Sequence, residues 1–331
     1  MTEKPTLKTI AKISGFAVPT VSRALGNAPD ISESTKLRVR QIADEIGYIP
    51  NRAGVRLRTG RTNVISLVLS TDHDVMNLTA RLISSVAGGL RDTPYHLVVT
   101  PEFPGDDLLK PIKYIVETGS ADAIIINRIR PHDPRIKYMM ERNFPFATHG
   151  RSVWSDKHSY YDYDNGIFAE NAVRTLAAKG RKNLLLVAPP TDQSYALEMI
   201  GGAKRAAEDC NVGLSIAETV TSDSHRDLIT DAIAQAQKTD DAYDGIISGS
   251  ANATMAAIAG LESVGLKVME DVDLFSKETV PFLSMFRPGI LTEHEDIARA
   301  GEFLAHAAVQ AAREPQAAPM QVIEVAKRKE C

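Results

Sequence analysis

Two kinds of hydrophobic spacing divide the chain. From residue 63 onward, short apolar runs stand between polar or amphipathic stretches: NVISLVL, YHLVVT, ADAIIIN and FPFAT first, then NLLLVA, DGIISG and DVDLFS. The runs are continuous rather than alternating, which is the pattern of strands buried on both faces, hence of parallel sheet covered by helices. Repetition of strand and helix over this length predicts a doubly wound α/β core with room for two lobes.

Before residue 63 the apolar positions recur at helical spacing instead. Thr6 is the candidate N-cap of a helix whose stripe begins at Ile10 and Ala11 and ends near Gly15. A second helix is expected from Val18 to Leu25, with Pro19 tolerated because it falls in the first turn. A third follows Ser32, a candidate N-cap with Thr35 three positions on. Its face is Val39, Ile42, Ala43 and Ile46, and Gly47 closes it. Two helices joined at Gly15 and braced by a third have the geometry of a helix-turn-helix, whose second helix lies in the DNA major groove.

Charge sharpens this division. The 331 residues carry a formal net charge of −4, yet residues 1–62 hold eleven Lys/Arg against five Asp/Glu, leaving the body at −10. A basic head on an acidic body suits a protein that grips a polyanion at one end. Hydrophobic residues at 44% and charged residues at 24% are ordinary globular usage, so wholesale disorder is excluded. No run approaches the roughly 18 to 20 apolar residues of a membrane span, and the first twenty residues lack the apolar core of a signal peptide. Cys210 and Cys331, the only cysteines, cannot build a disulfide framework and are expected to be reduced thiols. A cytoplasmic protein with no membrane contact is expected.

The residues of the head say more. TLKTIAKISGFAVPTVSRALGNAPDISESTKLRVRQIADEIGYIPNRAGVRLRTGRTNVISLVL closely resembles the head, hinge and first core strand of LacI/GalR-family transcriptional regulators. The TVSRAL run, the IGYIPN run and the basic hinge fall at the family's spacing. The resemblance implies a small all-α helix-turn-helix head and a two-lobed, periplasmic-binding-protein-like α/β core. It places Ala17, Val18, Pro19, Ser22 and Arg23 at positions facing base edges or nearby phosphates, and Thr20 and Asn51 at backbone contacts. Thr6, Arg52 and Arg56 complete the expected DNA-binding set. Val18 and Pro19 cannot donate side-chain hydrogen bonds, so readout there would rest on apolar contact, for example with a thymine methyl. Arg23 is the candidate for guanine, since its fork reaches O6 and N7 together.

Residues 51–61, NRAGVRLRTGR, carry four arginines and no acid. Read alone, this is a solvated linker. The resemblance makes it a hinge helix that folds on operator DNA, with Leu57 at the position that wedges into the central base step. Gly54 stands where a small alanine is usual and should weaken the free hinge helix by about 1 kcal/mol. The expected domains are therefore a head at 1–50, a hinge at 51–62 and a core at 63–331. Lobe 1 is expected at about 63–161 and 288–318, and lobe 2 at about 162–287 and 319–331. Crossings between them are expected near Tyr160–Tyr163, Phe286–Thr292 and Pro315–Gln321.

Nothing in the body looks catalytic. There is no phosphate-binding glycine motif, no nucleophile elbow, no H-E-x-x-H and no Cys/His ligand spacing. No cofactor and no metal is expected. A two-lobed α/β core binds its ligand in the crevice at the carboxyl ends of the strands. Effector candidates there are His73, Asp74 and Asn77 after the first strand, Asn127 and Arg128 after ADAIII, His149 and Arg151 after FPFAT, and Asp162 at the crossover. In the second half they are Tyr195, Glu198, Ser250, Asn252, Lys277 and Glu278, and Asn165 is expected to cap a helix. Relative to the family, Glu198 stands where the ligand arginine of an R-x-x-G pattern is usual. Ser250, Ala251 and Asn252 replace an Asn-Asp pair. A ring of carboxylates and amides suits sugar hydroxyls, which both donate and accept, with Tyr195 and Trp154 as candidate stacking surfaces.

The expectation is a homodimeric regulator, a repressor, on a pseudo-palindromic operator, modulated by a mono- or disaccharide. The run SKE…PFLSMFRPGI, with RPHDPRI and DYDN, resembles a rhizobial-type subgroup regulating α-glucoside or α-galactoside uptake. The ending QVIEVAKRKEC reads as a strand and a short basic tail, without a leucine heptad, which favours a dimer over a tetramer. Two alternatives stay open: a sugar-binding module without DNA function, and a corepressor-type regulator with a non-sugar effector.

Overall fold

The computed structural model describes residues 4–49, 54, 56, 60–70, 78–103, 105–239 and 242–326. The chain forms two compact units, residues 1–62 and 63–331. Among its described residues the first carries the helices α1 (Leu7–Ser14), α2 (Val18–Leu25) and α3 (Glu33–Glu45). The Thr6 side chain caps α1 by accepting from the Thr9 N–H, and Ser32 caps α3 by accepting from Thr35. Gly15 ends α1 at φ 75°, a left-handed conformation that costs glycine nothing and lets α2 turn away at once. Ile10, Val21, Ala24, Val39, Ile42 and Ala43 close over one another as the core of this unit.

The second unit alternates strand and helix. Its first part runs β1 (Val64–Ser70), α4 (Leu78–Gly89), β2 (His96–Glu102), α5 (Leu109–Thr118), β3 (Ala123–Ile126), α6 (Pro134–Glu141), β4 (Phe146–His149) and β5 (Ser159–Tyr163). It continues through α7 (Asn165–Ala178), β6 (Asn183–Val187), α8 (Ser194–Cys210), β7 (Gly213–Ile216), α9 (Arg226–Ala236), β8 (Gly245–Ser248), α10 (Ala251–Ser263) and β9 (Asp273–Glu278). The last elements are α11 (Leu283–Phe286), β10 (Leu291–His294), α12 (Ile297–Arg313) and β11 (Gln321–Glu324).

Two sheets result, β11-β5-β4-β3-β1-β2 and β10-β9-β8-β6-β7. Every pairing between these strands is parallel. Each sheet is covered on both faces. In the first lobe, α4 and α12 pack on one face around Leu82, Val86 and Leu304, while α5 and α6 seal the other with Ile112, Ile115 and Met139. In the second, α7 and α8 cover one face with Phe168, Leu176 and Met199, and α9 and α10 the other with Ile229, Ile233 and Leu261. Helices α7 and α8 touch backbone to backbone: a Cβ on Gly202 would fall on the Gly166 carbonyl. This closeness brings the start of α8, and Glu198 with it, against the crossover at Asp164.

The sheets divide the chain differently from the expected lobe boundaries. β10 pairs with β9 in the second sheet, so residues 288–294 go with lobe 2. β11 pairs with β5 in the first sheet, so the described part of 319–331 goes with lobe 1. The crossing expected at Phe286–Thr292 lies instead at Glu295–Asp296, and Pro315–Gln321 joins two elements of the same lobe. Tyr160–Tyr163 is strand β5, and the chain leaves lobe 1 at Asp164, just after it. The physical reason is that β10, LTEH, is a partly exposed edge strand with one apolar residue, so it has no hydrophobic signature to read. Cys210, expected as a reduced thiol, is disulfide-bonded.

Candidate functional site

On the head, the packing of α2 decides what faces outward. Val21 and Ala24 are buried, which turns Ala17, Val18, Pro19 and Arg23 to solvent and leaves Thr20 and Ser22 half-buried. Val18 keeps 36% of its surface exposed, enough for apolar contact with a groove-facing methyl. Arg23 pairs with Asp30, and both side chains stay about half exposed, at 55% and 48%. Thr6 is exposed, but its hydroxyl is engaged as the α1 cap. In the hinge, Gly54 and Arg56 have helical backbone, and the Gly60 N–H donates to the Arg56 carbonyl at 2.8 Å. Asn51, Arg52 and Leu57 lie outside the described residues.

A cavity in the body opens between the lobes at the carboxyl ends of both sheets. Both sheets reverse their winding there, β1 between β2 and β3, and β6 between β7 and β8, which is where doubly wound sheets bind ligands. Of the expected effector residues, Asn127, Arg128, His149, Asp162, Tyr195, Ser250, Asn252, Lys277 and Glu278 line it. Arg151 and Glu198 lie directly behind Asp162. Arg151 Nε donates to Asp162 Oδ2 at 2.6 Å, and its Nη2 to both Glu198 carboxylate oxygens at 2.8 Å. His73, Asp74 and Asn77 lie outside the described residues.

Among the described residues, three ion pairs cross from lobe to lobe. Arg128, just past β3, meets Asp223, just past β7. Arg130 meets Asp192 at 2.8 Å, and Arg151 meets Glu198. The Ser194 N–H adds a backbone bond to the Ile129 carbonyl at 2.8 Å. Deeper in, Lys277 Nζ lies 2.5 Å from Glu295 Oε2 and donates to Asn165 Oδ1 at 2.7 Å, with the Tyr163 ring 4.7 Å away. Glu295 also takes a hydrogen bond at 3.0 Å from His149 Nε2. Burial alone would raise the Glu295 carboxyl, but the Lys277 charge and the His149 contact outweigh it and hold Glu295 well below the usual carboxylate range. Glu198 goes the other way. Burial and the negative charge of Asp162 push it up to about 7, with Arg151 pulling against them.

Sequence reasoning missed Asp223, Glu295, Ser222 and Thr279 in the cavity wall, and it misjudged two residues. Asp164, not Asn165, caps α7; Asn165 is buried, donates to the Tyr163 carbonyl and holds Lys277. Trp154 is absent from the cavity wall and packs instead at the α6 face, with its ring 5.8 Å from that of His132. Asp223 and Glu295 follow β7 and β10, two weakly apolar strands that periodicity does not reveal.

Comparison with known proteins bears on both parts. The model of bacterial regulatory proteins, lacI family, matches residues 6–51, and that of periplasmic binding proteins and sugar binding domain of LacI family matches 67–299. The chain belongs to the LacI family. As a member, it is a DNA-binding transcriptional regulator with an effector domain of the sugar-binding type, in a family of regulators rather than enzymes. The HTH-type transcriptional regulator AglR of Rhizobium meliloti is 27% identical over 292 residues, covering 85% of this chain and 79% of that protein. The lac repressor dimer bound to operator and the anti-inducer ONPF superposes with TM-score 0.79 at 17% identity, over 98% of this chain and 97% of that one. A complex of the regulator CelR with cellobiose gives TM-score 0.69 at 21% identity, over 97% of each chain. At these identities the two structures speak to the LacI-family fold. Among the described residues no helix is long and apolar enough to cross a membrane.

Proposed function

We propose that the protein is a dimeric repressor that grips a pseudo-palindromic operator through α2 and the hinge and releases it when a mono- or disaccharide occupies the cleft. The observation that carries this reading is the cleft wall. Amides of Asn127, Asn165 and Asn252 alternate there with hydroxyls and with paired carboxylates. In the same wall the buried Ser194 hydroxyl has no hydrogen-bond partner among the described residues. Buried polar atoms of this kind are normally satisfied, and a sugar hydroxyl supplies both a donor and an acceptor. The cellobiose seated in CelR supports the ligand class, and the operator-bound lac repressor dimer supports the DNA partner and the two-fold arrangement.

In this reading residues 1–50 read the DNA, with Arg23 on a guanine, and residues 51–62 form the hinge, with Leu57 as its wedge. The cleft residues, Asp162 and Asn252 among them, hold the sugar. The effector works only through a difference in affinity between the DNA-competent and incompetent states. The test is selection of bound duplexes from a randomised pool, followed by titration with maltose, cellobiose and melibiose. A two-fold symmetric site bound by one dimer and released by a disaccharide is the expected result. An asymmetric site, or a complex tightened by every sugar that acts on it, would refute the repressor reading.

A further inference from the structure

We infer that the cleft accepts uncharged sugars and rejects phosphorylated or carboxylated ones, because each cation facing it among the described residues is already held by a carboxylate. The inference rests on the cleft being the effector site. Arg128 is bound by Asp223 and donates to the Ser70 hydroxyl at 3.2 Å. Lys277 is bound by Glu295 and Asn165, and the same Glu295 takes the His149 hydrogen bond. Among the described residues of the wall carboxylates outnumber cations: Asp162, Asp223, Glu278 and Glu295 face it, against Arg128 and Lys277.

The pairing is built in rather than incidental. Arg128 has φ 54°, a left-handed backbone uncommon for a residue with a side chain. The strain is held by Arg135, whose Nη2 donates to the Asn127 and Arg128 carbonyls at 3.1 Å each. Arg135 is itself locked between buried Asp133 at 2.8 Å and Glu102 at 3.0 Å. A phosphate entering this cleft would have to strip Arg128 from Asp223 and leave that carboxylate facing a second anion. A neutral sugar has no such conflict, since paired carboxylates keep lone pairs for hydroxyl donors.

The experiment is isothermal titration of the full-length protein with maltose, cellobiose and melibiose, and with maltose 6′-phosphate, cellobiose 6′-phosphate and glucuronate. At least one neutral sugar is expected to bind, and none of the anionic compounds. Asp223→Asn should free Arg128 and strengthen binding of the sugar phosphates by about tenfold or more, while Asp223→Glu should restore their rejection. Equal or tighter binding of an anionic compound by the wild type would overturn the inference and leave the effector cleft standing. The same holds if Asp223→Asn, folded by its thermal melt, gains nothing for anions. Silence from all six compounds would overturn the effector reading, and the inference with it.

Discussion

Arginine serves opposite purposes in the two units of the molecule. In the head, Arg23 pairs directly with Asp30 at the surface, both side chains about half exposed. In the body, Arg128 and Asp223 are 23% and 28% exposed, and Arg135 only 3%. An exposed pair contributes about 0–1 kcal/mol and is readily exchanged for a stronger partner. A buried pair such as Arg135 with Asp133 is costly to break, because the abandoned charge stays out of water, and the half-buried Arg128 pair lies between the two cases. The head is therefore poised to trade a weak internal partner for a phosphate or a guanine. In the body, Arg128, Arg135 and Lys277 hold the cavity wall and its supporting loop in place. A basic surface with loosely held charges attracts DNA, and a cleft with matched charges discriminates by shape and hydrogen bonding.

The largest effects should come from damage confined to one unit. Ile42 is 1% exposed in the head core, and Ile42→Ala should cost about 2–5 kcal/mol. So small a unit has little stability to spare, so operator binding should be lost while sugar binding and the main melting transition persist. Glu295→Ala should do the reverse. It leaves buried Lys277 without its carboxylate, a loss of about 3–5 kcal/mol, and should depress the main transition while DNA fluorescence anisotropy still reports a folded head. If either variant lowers both readouts equally, the two units are not energetically separate.

How much of each unit was legible follows from the same contrast. The head writes its chemistry on one helix, so residues 17–23 could be read as a block, and the caps at Thr6 and Ser32 were visible as residue types. The cleft is assembled from loops between residues 70 and 295. Apolar runs such as AIII and GIIS located its loops, and with them Asn127, Arg128, Ser250 and Asn252. Edge strands GLSI and LTEH bury too little to show a pattern, so Asp223 and Glu295 behind them went unseen. Trp154 illustrates the converse error. Its residue type suits a sugar platform, but only packing decides which face a loop aromatic takes.

A smaller effect sharpens the account of the head. Arg23→Ala should relax base preference at one position per half-site by about 1–3 kcal/mol if the fork reads a guanine, and weaken all sequences alike if it touches only phosphate. Asp30→Ala separates the pair from the contact. Since the exposed pair is worth at most about 1 kcal/mol, its loss should leave the head folded and operator affinity equal or tighter. Competition binding to operators substituted at each position reads both outcomes. A loss of affinity in Asp30→Ala would mean that Asp30 orients Arg23 for DNA rather than merely occupying it.

A pH-dependent effect tests the body's interlobe contact at Arg151, where one guanidinium serves Asp162 of its own lobe and Glu198 of the other. Glu198 faces Arg151, Asp162 and Asp164, and burial with the two aspartates raises it from 4.5 to about 7. A folded state that holds the proton more tightly than the unfolded chain is favoured at low pH. The contribution is fully present below about 4.5 and is lost as pH rises through about 7, after which it is flat. Glu198→Gln keeps the shape and a donor–acceptor group but cannot ionise. Its melting temperature relative to wild type should therefore climb between pH 5 and 7 and level off above. A constant difference across that window would mean that Glu198 is already ionised throughout, and that the interlobe bond to Arg151 holds the body together at full charge.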